Sequence, residues 1–310
     1  MNKKTYLIEK AEKGLTIQQY LKQIAGFSNA QIRSMKFTEN GICLGGQRAR
    51  VTTRLSEGDV LEVLLETKNS SSAHLLSFEQ MPDILYEDAD VIAVNKPAGM
   101  AVHPSHGHYQ DTLANQLAYY FRKNTQQVEI HSIGRLDLET SGIVLFAKHR
   151  AAAARLSRQR EDGRLQKTYL AICSGIFAEK NGTLNGAIAP LPGSLMKMCV
   201  SKDGKPAVTH YQVQKQYMEV ALVRLTLETG RTHQIRVHMA DAGHPLIGDR
   251  LYFADTDQKA DVDAENCFTG IKRAALHASR ICFYQPFEGK RITVEAPFPE
   301  DMKKCLFRDE

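Results

Sequence analysis

The sequence of 310 residues lacks the patterns that mark several large classes of protein. Its six cysteines are scattered without a Cys-x-x-Cys pair, so neither a zinc ribbon nor a disulfide framework is predicted. There is no run of about 18 apolar residues and no apolar signal core near the first residue. We therefore expect a cytoplasmic protein with reduced thiols that neither crosses a membrane nor is secreted.

The excess of one sign of charge over the other is also small. The formal net charge is +5 and the pI is near 8.8, which is compatible with a polyanionic partner but does not demonstrate one. No glycine-rich loop of the phosphate-cradling type is present. The length is sufficient for about two domains, each with its own apolar core.

The first domain is predicted over residues 1–67. Thr16 precedes a helical pattern, and Ser28 with Gln31 forms a capping-box signal for a second helix. A hairpin turning at Gly45-Gly46 and a strand at 60–65 follow. Two helices followed by a small sheet are therefore expected.

A polar segment separates this unit from the rest of the chain. It contains Asn69-Ser70-Ser71-Ser72-Ala73, which is typical of a linker, and we assign the linker to residues 68–80. Residues 81–310 are rich in strand patterns and form the predicted second domain. A loop there carries His103, His106 and His108, but it has no adjacent thiol or carboxylate set, so no metal site is predicted.

The most informative segment runs from His131 to Lys148. It contains Arg135-Leu136-Asp137, then Thr140-Ser141-Gly142, then the apolar run Leu145-Phe146-Ala147 that predicts a buried strand. This segment resembles the signature of the RluA-type pseudouridine synthases, in which the aspartate is catalytic. The resemblance assigns that role to Asp137. Gly134 departs from the family, which usually has a histidine there.

Other segments extend the resemblance and imply further site residues. The tyrosine of the Lys-x-Tyr-x-Ala segment, Tyr169, is expected to face the active site and stack on the base. Arg236, in the segment Thr229 to His238, is expected to pair with the catalytic aspartate. The remaining expected substrate contacts are Arg135, which would fill the gap left by a flipped base, Arg231, Leu276, Lys96 and His233.

The first domain resembles the alpha-L RNA-binding module. Its expected RNA contacts are Arg33, Lys36, Arg48 and Arg50. The resemblance as a whole implies an α+β fold, in which a catalytic domain with a largely antiparallel mixed sheet (the pseudouridine synthase fold) follows a small αα-β RNA-binding domain. The expected partner is structured RNA, either rRNA or tRNA, and we expect no DNA partner and a monomer.

Conversion of uridine to pseudouridine breaks one glycosidic bond and forms another without redox change, so no cofactor is expected. Asp137 could act as a nucleophile on the sugar or assist an elimination, and the sequence does not choose between these. Two alternatives remain open. One is a catalytically inactive RNA-binding homologue, and the other is a glycosidase that uses Asp137 and Glu139 as paired carboxylates.

Overall fold

A computed structural model describes residues 3–65, 75–105, 107–126, 128–194, 196–253 and 271–306 of the chain. His106 and most of the predicted linker, residues 68–74, lie outside the described residues. Among the helices that are described, none is long and apolar enough to cross a membrane.

The N-terminal unit contains a four-stranded sheet and two helices. Its elements are β1 (Lys3–Leu7), α1 (Ile17–Gln23), α2 (Asn29–Phe37), β2 (Ile42–Leu44), β3 (Gln47–Arg48) and β4 (Val60–Leu64). Thr16 and Ser28 cap the two helices as the sequence predicts, each through a reciprocal bond with a glutamine three residues later. Strand β1 was not predicted. It pairs antiparallel with β4 and completes the sheet in the order β1-β4-β2-β3.

The rest of the described chain forms a second α+β unit. Its strands are β5 (Ile84–Glu87), β6 (Val91–Lys96), β7 (His131–Ser132), β8 (Ser141–Ala147), β9 (Gln166–Ser174), β10 (Asn181–Asn185), β11 (Ile188–Pro190), β12 (Met198–Val200), β13 (Val208–Gln216), β14 (Val220–Leu227), β15 (Leu276–Tyr284) and β16 (Arg291–Glu295). Its helices are α3 (Leu113–Lys123), α4 (Arg150–Glu161), α5 (Gln234–Asp241) and α6 (Glu300–Leu306).

One large sheet organises this unit, with the order β10-β13-β14-β9-β15-β8-β6-β5 and with β16 and β7 attached to β15 and β8. Every pairing in it is antiparallel except that of β8 with β15. All seven residues of β8 are buried, as its apolar sequence predicts for a central strand. The segment that precedes β8 therefore enters the middle of the sheet.

Gly142 makes that entry possible. It pairs with Lys96 of β6 on one side and with Ala278 of β15 on the other. Its φ is +108°, and a Cβ at this position would lie 2.3 Å from the carbonyl oxygen of Ala278. A larger residue cannot occupy this position without moving one of the two neighbouring strands.

The two units are in contact through Arg155 of α4. Its guanidinium lies 5.1 Å from the ring of Phe27 and 4.0 Å from the ring of Phe287, and it donates to the carbonyl of Pro286 at 2.7 Å. Lys4 of β1 reaches Asp90 at 3.4 Å. The alanine-rich helix α4 thus uses one half-buried arginine to hold the N-terminal unit.

Candidate active site

A cleft of about 1340 Å³ lies over the centre of the large sheet. It is lined by the loop between β7 and β8, the start of β9, the end of β14, the start of α5 and the first residue of β15. This volume exceeds that of a typical small-molecule pocket, so the cleft has room for a nucleotide and its neighbours.

Asp137 lies in the loop that leads into β8 and lines the cleft. Its backbone carbonyl accepts a hydrogen bond from Thr140, which closes a turn at 3.1 Å. Its side chain is half-buried. Across the described residues, no hydrogen bond from the protein reaches the Asp137 carboxylate. A carboxylate with free lone pairs on the wall of a cleft is available to a ligand.

Tyr169 and Leu276 form the apolar part of the cleft. Tyr169 is on β9, Leu276 is the first residue of β15, and both are buried but line the cleft. Burial, with a contribution from the charge of Asp137, raises the pKa of Tyr169. The phenol is therefore neutral at physiological pH, and its ring and the Leu276 side chain offer an apolar surface to a base.

Arg236 has a different ion-pair partner from the one predicted. Its Nε and Nη2 donate to the two carboxylate oxygens of Asp249 at 2.6 and 2.7 Å, with both side chains buried. Its guanidinium also lies 5.1 Å from the ring of Tyr252. Burial opposes the charged form, but the bonds to Asp249 and the charges of Asp249 and Asp137 raise the pKa of Arg236. Arg236 acts on Asp137 through its charge, while the two bonds to Asp249 fix the orientation of the Arg236 guanidinium.

His233 begins helix α5 in a strained conformation. Its φ of 56° is in the left-handed region, and it occupies the N-cap position of the helix. The ring nitrogen Nδ1 bonds the hydroxyl of Tyr252 at 2.8 Å. Burial lowers the pKa of His233, although the charge of Asp137 opposes this shift. Strain of this kind persists where the surrounding structure requires it, and it is common at functional sites.

Lys96, a predicted substrate contact, does not line the cleft. Its side chain is 0% exposed, and Nζ donates to three carbonyls, those of Pro97 at 2.8 Å, Met100 at 2.8 Å and Leu138 at 3.1 Å. Burial and the charge of Arg273 lower the pKa of Lys96 to about 7, against the charge of Asp137. Lys96 lies behind the loop of Asp137 and bonds the backbone of that loop at Leu138.

A second buried cation fixes the same loop. Arg273 is bound to Asp301 of α6 at 2.7 Å and donates through Nη1 to the carbonyls of Glu139 and Leu276 at 3.3 and 3.1 Å. The carboxylate of Glu139 accepts from the backbone N–H of Ala274 at 3.1 Å. Glu139 does not line the cleft, so Asp137 and Glu139 do not form the paired carboxylates that a glycosidase requires.

The remaining predicted contacts are distributed between the cleft and the N-terminal unit. Arg135 and Arg231 line the cleft with exposed side chains, and Arg231 donates to the carbonyl of Pro206 at 3.0 Å. The four predicted RNA contacts of the N-terminal unit are also exposed: Arg33, Lys36, Arg48 and Arg50. Arg48 donates to the carbonyl of Lys36 at 3.2 Å, which brings β3 against the end of α2.

The histidines of the loop after β6 have protein partners. His103 lies 2.7 Å from the hydroxyl of Ser132, and His108 lies 2.7 Å from the carboxylate of Asp111. These bonds hold the loop against β7 and near the start of α3. The described histidines of this loop therefore have structural partners.

Comparisons with known proteins agree with this geometry. The family described as RNA pseudouridylate synthase matches residues 90–241. Uncharacterized RNA pseudouridine synthase YhcT of Bacillus subtilis is 39% identical over 251 residues, which cover 80% of this chain and 78% of that protein. Ribosomal large subunit pseudouridine synthase D of Neisseria meningitidis serogroup A is 38% identical over 267 residues, 85% of this chain and 67% of that protein. This chain belongs to the RNA pseudouridylate synthase family.

The fold of this pseudouridine synthase agrees with that assignment. The solved structure of human RNA pseudouridylate synthase domain containing 1 matches with a TM-score of 0.56 at 27% identity, over 77% of this chain and 90% of that chain. The family resemblance and the mostly antiparallel α+β fold predicted from the sequence are confirmed, as is the enzyme class, an isomerase.

Two supporting residues of the site were missed by sequence reasoning. These are Asp249 and Arg273, to which the sequence assigned no role. An Asp that follows a glycine, as Asp249 follows Gly248, is an ordinary turn signal, so nothing local indicates its ion pair with Arg236.

Proposed function

We propose that this enzyme isomerises specific uridines in structured RNA to pseudouridine, with Asp137 as the catalytic carboxylate. The observation that carries the proposal is the Asp137 side chain itself. It lies at a cleft wall with no hydrogen bond from the described residues and within electrostatic range of Arg236 and Tyr169. A carboxylate kept free in this way can act on a sugar carbon or accept a proton from it.

The reaction divides among the site residues as follows. The target nucleotide leaves its stack and enters the cleft, and Arg135 at the exposed rim fills the space it leaves. The base lies between Tyr169 and Leu276. The N1–C1′ bond breaks, the uracil rotates while it is held there, and C5 forms the new bond to C1′, with the proton that C5 loses matched by the one that N1 gains. Asp137 acts either as the nucleophile at C1′, through a bond that breaks again when C5 attacks, or as the base of an elimination, which takes a proton from the sugar and returns it. The charge of Arg236 lies within electrostatic range of Asp137.

The N-terminal unit supplies a second RNA contact in this proposal. Its exposed basic residues Lys36 and Arg48 are adjacent on one surface, and Arg33 lies on the exposed face of α2. We infer that this alpha-L-type unit, residues 1–67, binds RNA outside the cleft, and that residues 81–310 perform catalysis. The enzyme is expected to work as a cytoplasmic monomer.

The named relatives favour one class of substrate for the first assay. Several carry the name ribosomal large subunit pseudouridine synthase D, so large-subunit rRNA is the first RNA to test and tRNA is the second. Uridines that are modified in RNA from wild-type cells but not in RNA from cells lacking the gene would identify the target sites.

The central test compares Asp137→Asn with Glu139→Gln. Both variants replace a carboxylate by an amide of the same shape in the same loop, but only Asp137 lines the cleft. Purified variants are incubated with RNA from cells that lack the gene, and pseudouridine is separated from uridine, its isomer of equal mass, after digestion. We expect no product with Asp137→Asn, a loss of at least about 10⁴-fold, and product within about tenfold of wild type with Glu139→Gln.

Two outcomes would contradict the proposal in different ways. Product formed by Asp137→Asn would remove the catalytic role of Asp137. If the wild-type enzyme binds RNA but forms no product from any cellular RNA, the chain is an RNA-binding homologue without activity, which was the alternative interpretation of its sequence.

A further inference from the structure

Two cations face each other across Gly134, on the wall of the cleft. A Cβ placed on Gly134 would lie 3.5 Å from Nη1 of Arg160 and 3.6 Å from Nζ of Lys167. Both head groups thus contact one small volume, and all three residues line the cleft. Arg160 comes from the last turn of α4 and Lys167 from the start of β9, the next element of the chain, so the short connection between the helix and the strand brings these two charges to Gly134.

Neither cation is neutralised by the protein. No ion pair joins Arg160 or Lys167 to an acidic residue among those described, although Glu161 also lines the cleft. Their neighbours differ: Arg164 pairs with Asp162 at 2.6 Å, and Arg150 pairs with Glu129 at 3.2 Å. Burial and the charge of Arg160 lower the pKa of Lys167 to about 8. Two like charges held close without a counterion form a site that an anion would stabilise.

Gly134 keeps the space between the two cations open. Its φ is +85°, a conformation that residues with a side chain rarely adopt. Any side chain there would project toward both head groups. Lys167 also lies two residues before Tyr169 on the same strand, so both side chains emerge on the same face of the sheet, toward the cleft.

We propose that Arg160 and Lys167, with Gly134 between them, form a phosphate-binding site for the RNA backbone beside the target nucleotide. The inference rests on the proposed function, because it takes the flipped nucleotide to lie against Tyr169 and Asp137. The ligand is a phosphodiester of the strand that enters the cleft. The site positions the strand without reading its sequence.

The test uses Arg160→Gln and Lys167→Gln, with Arg158→Gln as the matched control. Arg158 is exposed on the same helix two residues before Arg160 and does not line the cleft, so the control removes the same charge from the same helix. The affinity of each protein for large-subunit rRNA is measured from about 50 to 300 mM salt. For Arg160→Gln and for Lys167→Gln we expect about tenfold weaker binding and a salt slope smaller by about 0.7–0.9. The control should change affinity less than twofold.

Further measurements separate a phosphate contact from a structural role. Lys167→Arg keeps a cation and should restore most of the affinity, and the thermal unfolding midpoint of the glutamine variants should be at or above that of wild type, because a repulsion is removed. Salt slopes of Arg160→Gln and Lys167→Gln that equal that of Arg158→Gln would overturn the proposal. The binding measurement does not require turnover. An absence of pseudouridine in every assay would therefore refute the proposed function, but the RNA affinities and salt slopes would still test the phosphate-binding site.

Discussion

The two sides of the loop at residues 133–140 differ sharply. On the cleft side, Asp137 has a half-buried carboxylate that no described group of the protein bonds, and Arg135 extends into solvent. On the opposite side, the backbone carbonyls of the next two residues accept hydrogen bonds. The carbonyl of Leu138 accepts from Lys96 and from the N–H of Gly99 at 2.8 Å, and Glu139 is bonded through its carbonyl and its carboxylate.

This difference separates two requirements of catalysis. A reacting carboxylate needs free lone pairs, and it also needs a fixed position, because small displacements are costly. Here the backbone behind Asp137 is fixed by buried cations and by entry into the central strand β8, which leaves the side chain free. Asp249 gives Arg236 the same kind of support from a separate segment. We therefore predict that substitutions behind the loop lower activity even though the substituted residues do not contact the substrate.

The largest effect is expected from Lys96→Met. The variant leaves three backbone carbonyls without their donor, so we expect the free energy of unfolding to fall by about 2–3 kcal/mol and most activity to be lost. Lys123→Met, an exposed lysine in the last turn of α3, is the control and should change neither. Unfolding by urea and product formation are the measurements. An active Lys96→Met enzyme would show that the rear contacts do not position Asp137.

The wild type and Lys96→Met should also differ in how their stability depends on pH. The pKa of Lys96 is about 7 in the folded state, well below the unfolded value of about 10.4. Between these values the unfolded chain binds one more proton at Lys96 than the folded chain, so the stability of the wild type rises with pH. Lys96→Met lacks this pH-dependent contribution to the free energy of unfolding. The difference in unfolding free energy between the two proteins should therefore grow from about pH 7 to pH 10, and a constant difference would contradict the burial effect.

A smaller effect is expected from Asp301→Asn, which weakens the bond between α6 and Arg273. Asp301 is partly exposed, so solvent screens the ion pair and the free energy of unfolding should fall by only about 1 kcal/mol. Arg273 also holds Glu139 and Leu276, and we expect kcat to fall about tenfold while KM stays within twofold. Glu300→Gln, the adjacent acidic residue on α6, is the control. A rise in KM without a fall in kcat would place Asp301 in substrate binding instead.

The sequence predicted what local signals and short motifs encode. The capping boxes at Thr16 and Ser28, the hairpin at Gly45-Gly46 and the buried strand β8 are local, and the structure confirms each of them. Strand β1 was missed because its residues alternate between exposed and half-buried positions without a clear apolar face. Its place in the sheet depends on β4, which is distant in the chain.

The residues that line the cleft were predicted more completely than the buried residues that hold them in place. Asp137, Tyr169 and Arg236 carry motif signals, and the structure brings the three together. The bonds of Arg273 to Glu139 and of Lys96 to Leu138 join residues 134 and 42 positions apart. Residue type alone also did not indicate the three carbonyl partners that make Lys96 a buried support of the loop.

The smallest effect is expected on the cleft side, from Tyr169→Phe. Burial raises the pKa of Tyr169, so the phenol carries no charge over the working range and its ring surface is what the base contacts. Phenylalanine keeps the ring, and we expect kcat to fall by less than about tenfold with no change in stability, whereas Tyr169→Leu, which removes the aromatic face, should cost about 10²-fold or more. Single-turnover rates on the same RNA would measure both. If Tyr169→Phe loses as much activity as Asp137→Asn, the hydroxyl takes part in proton transfer and the cleft contains two reacting groups instead of one.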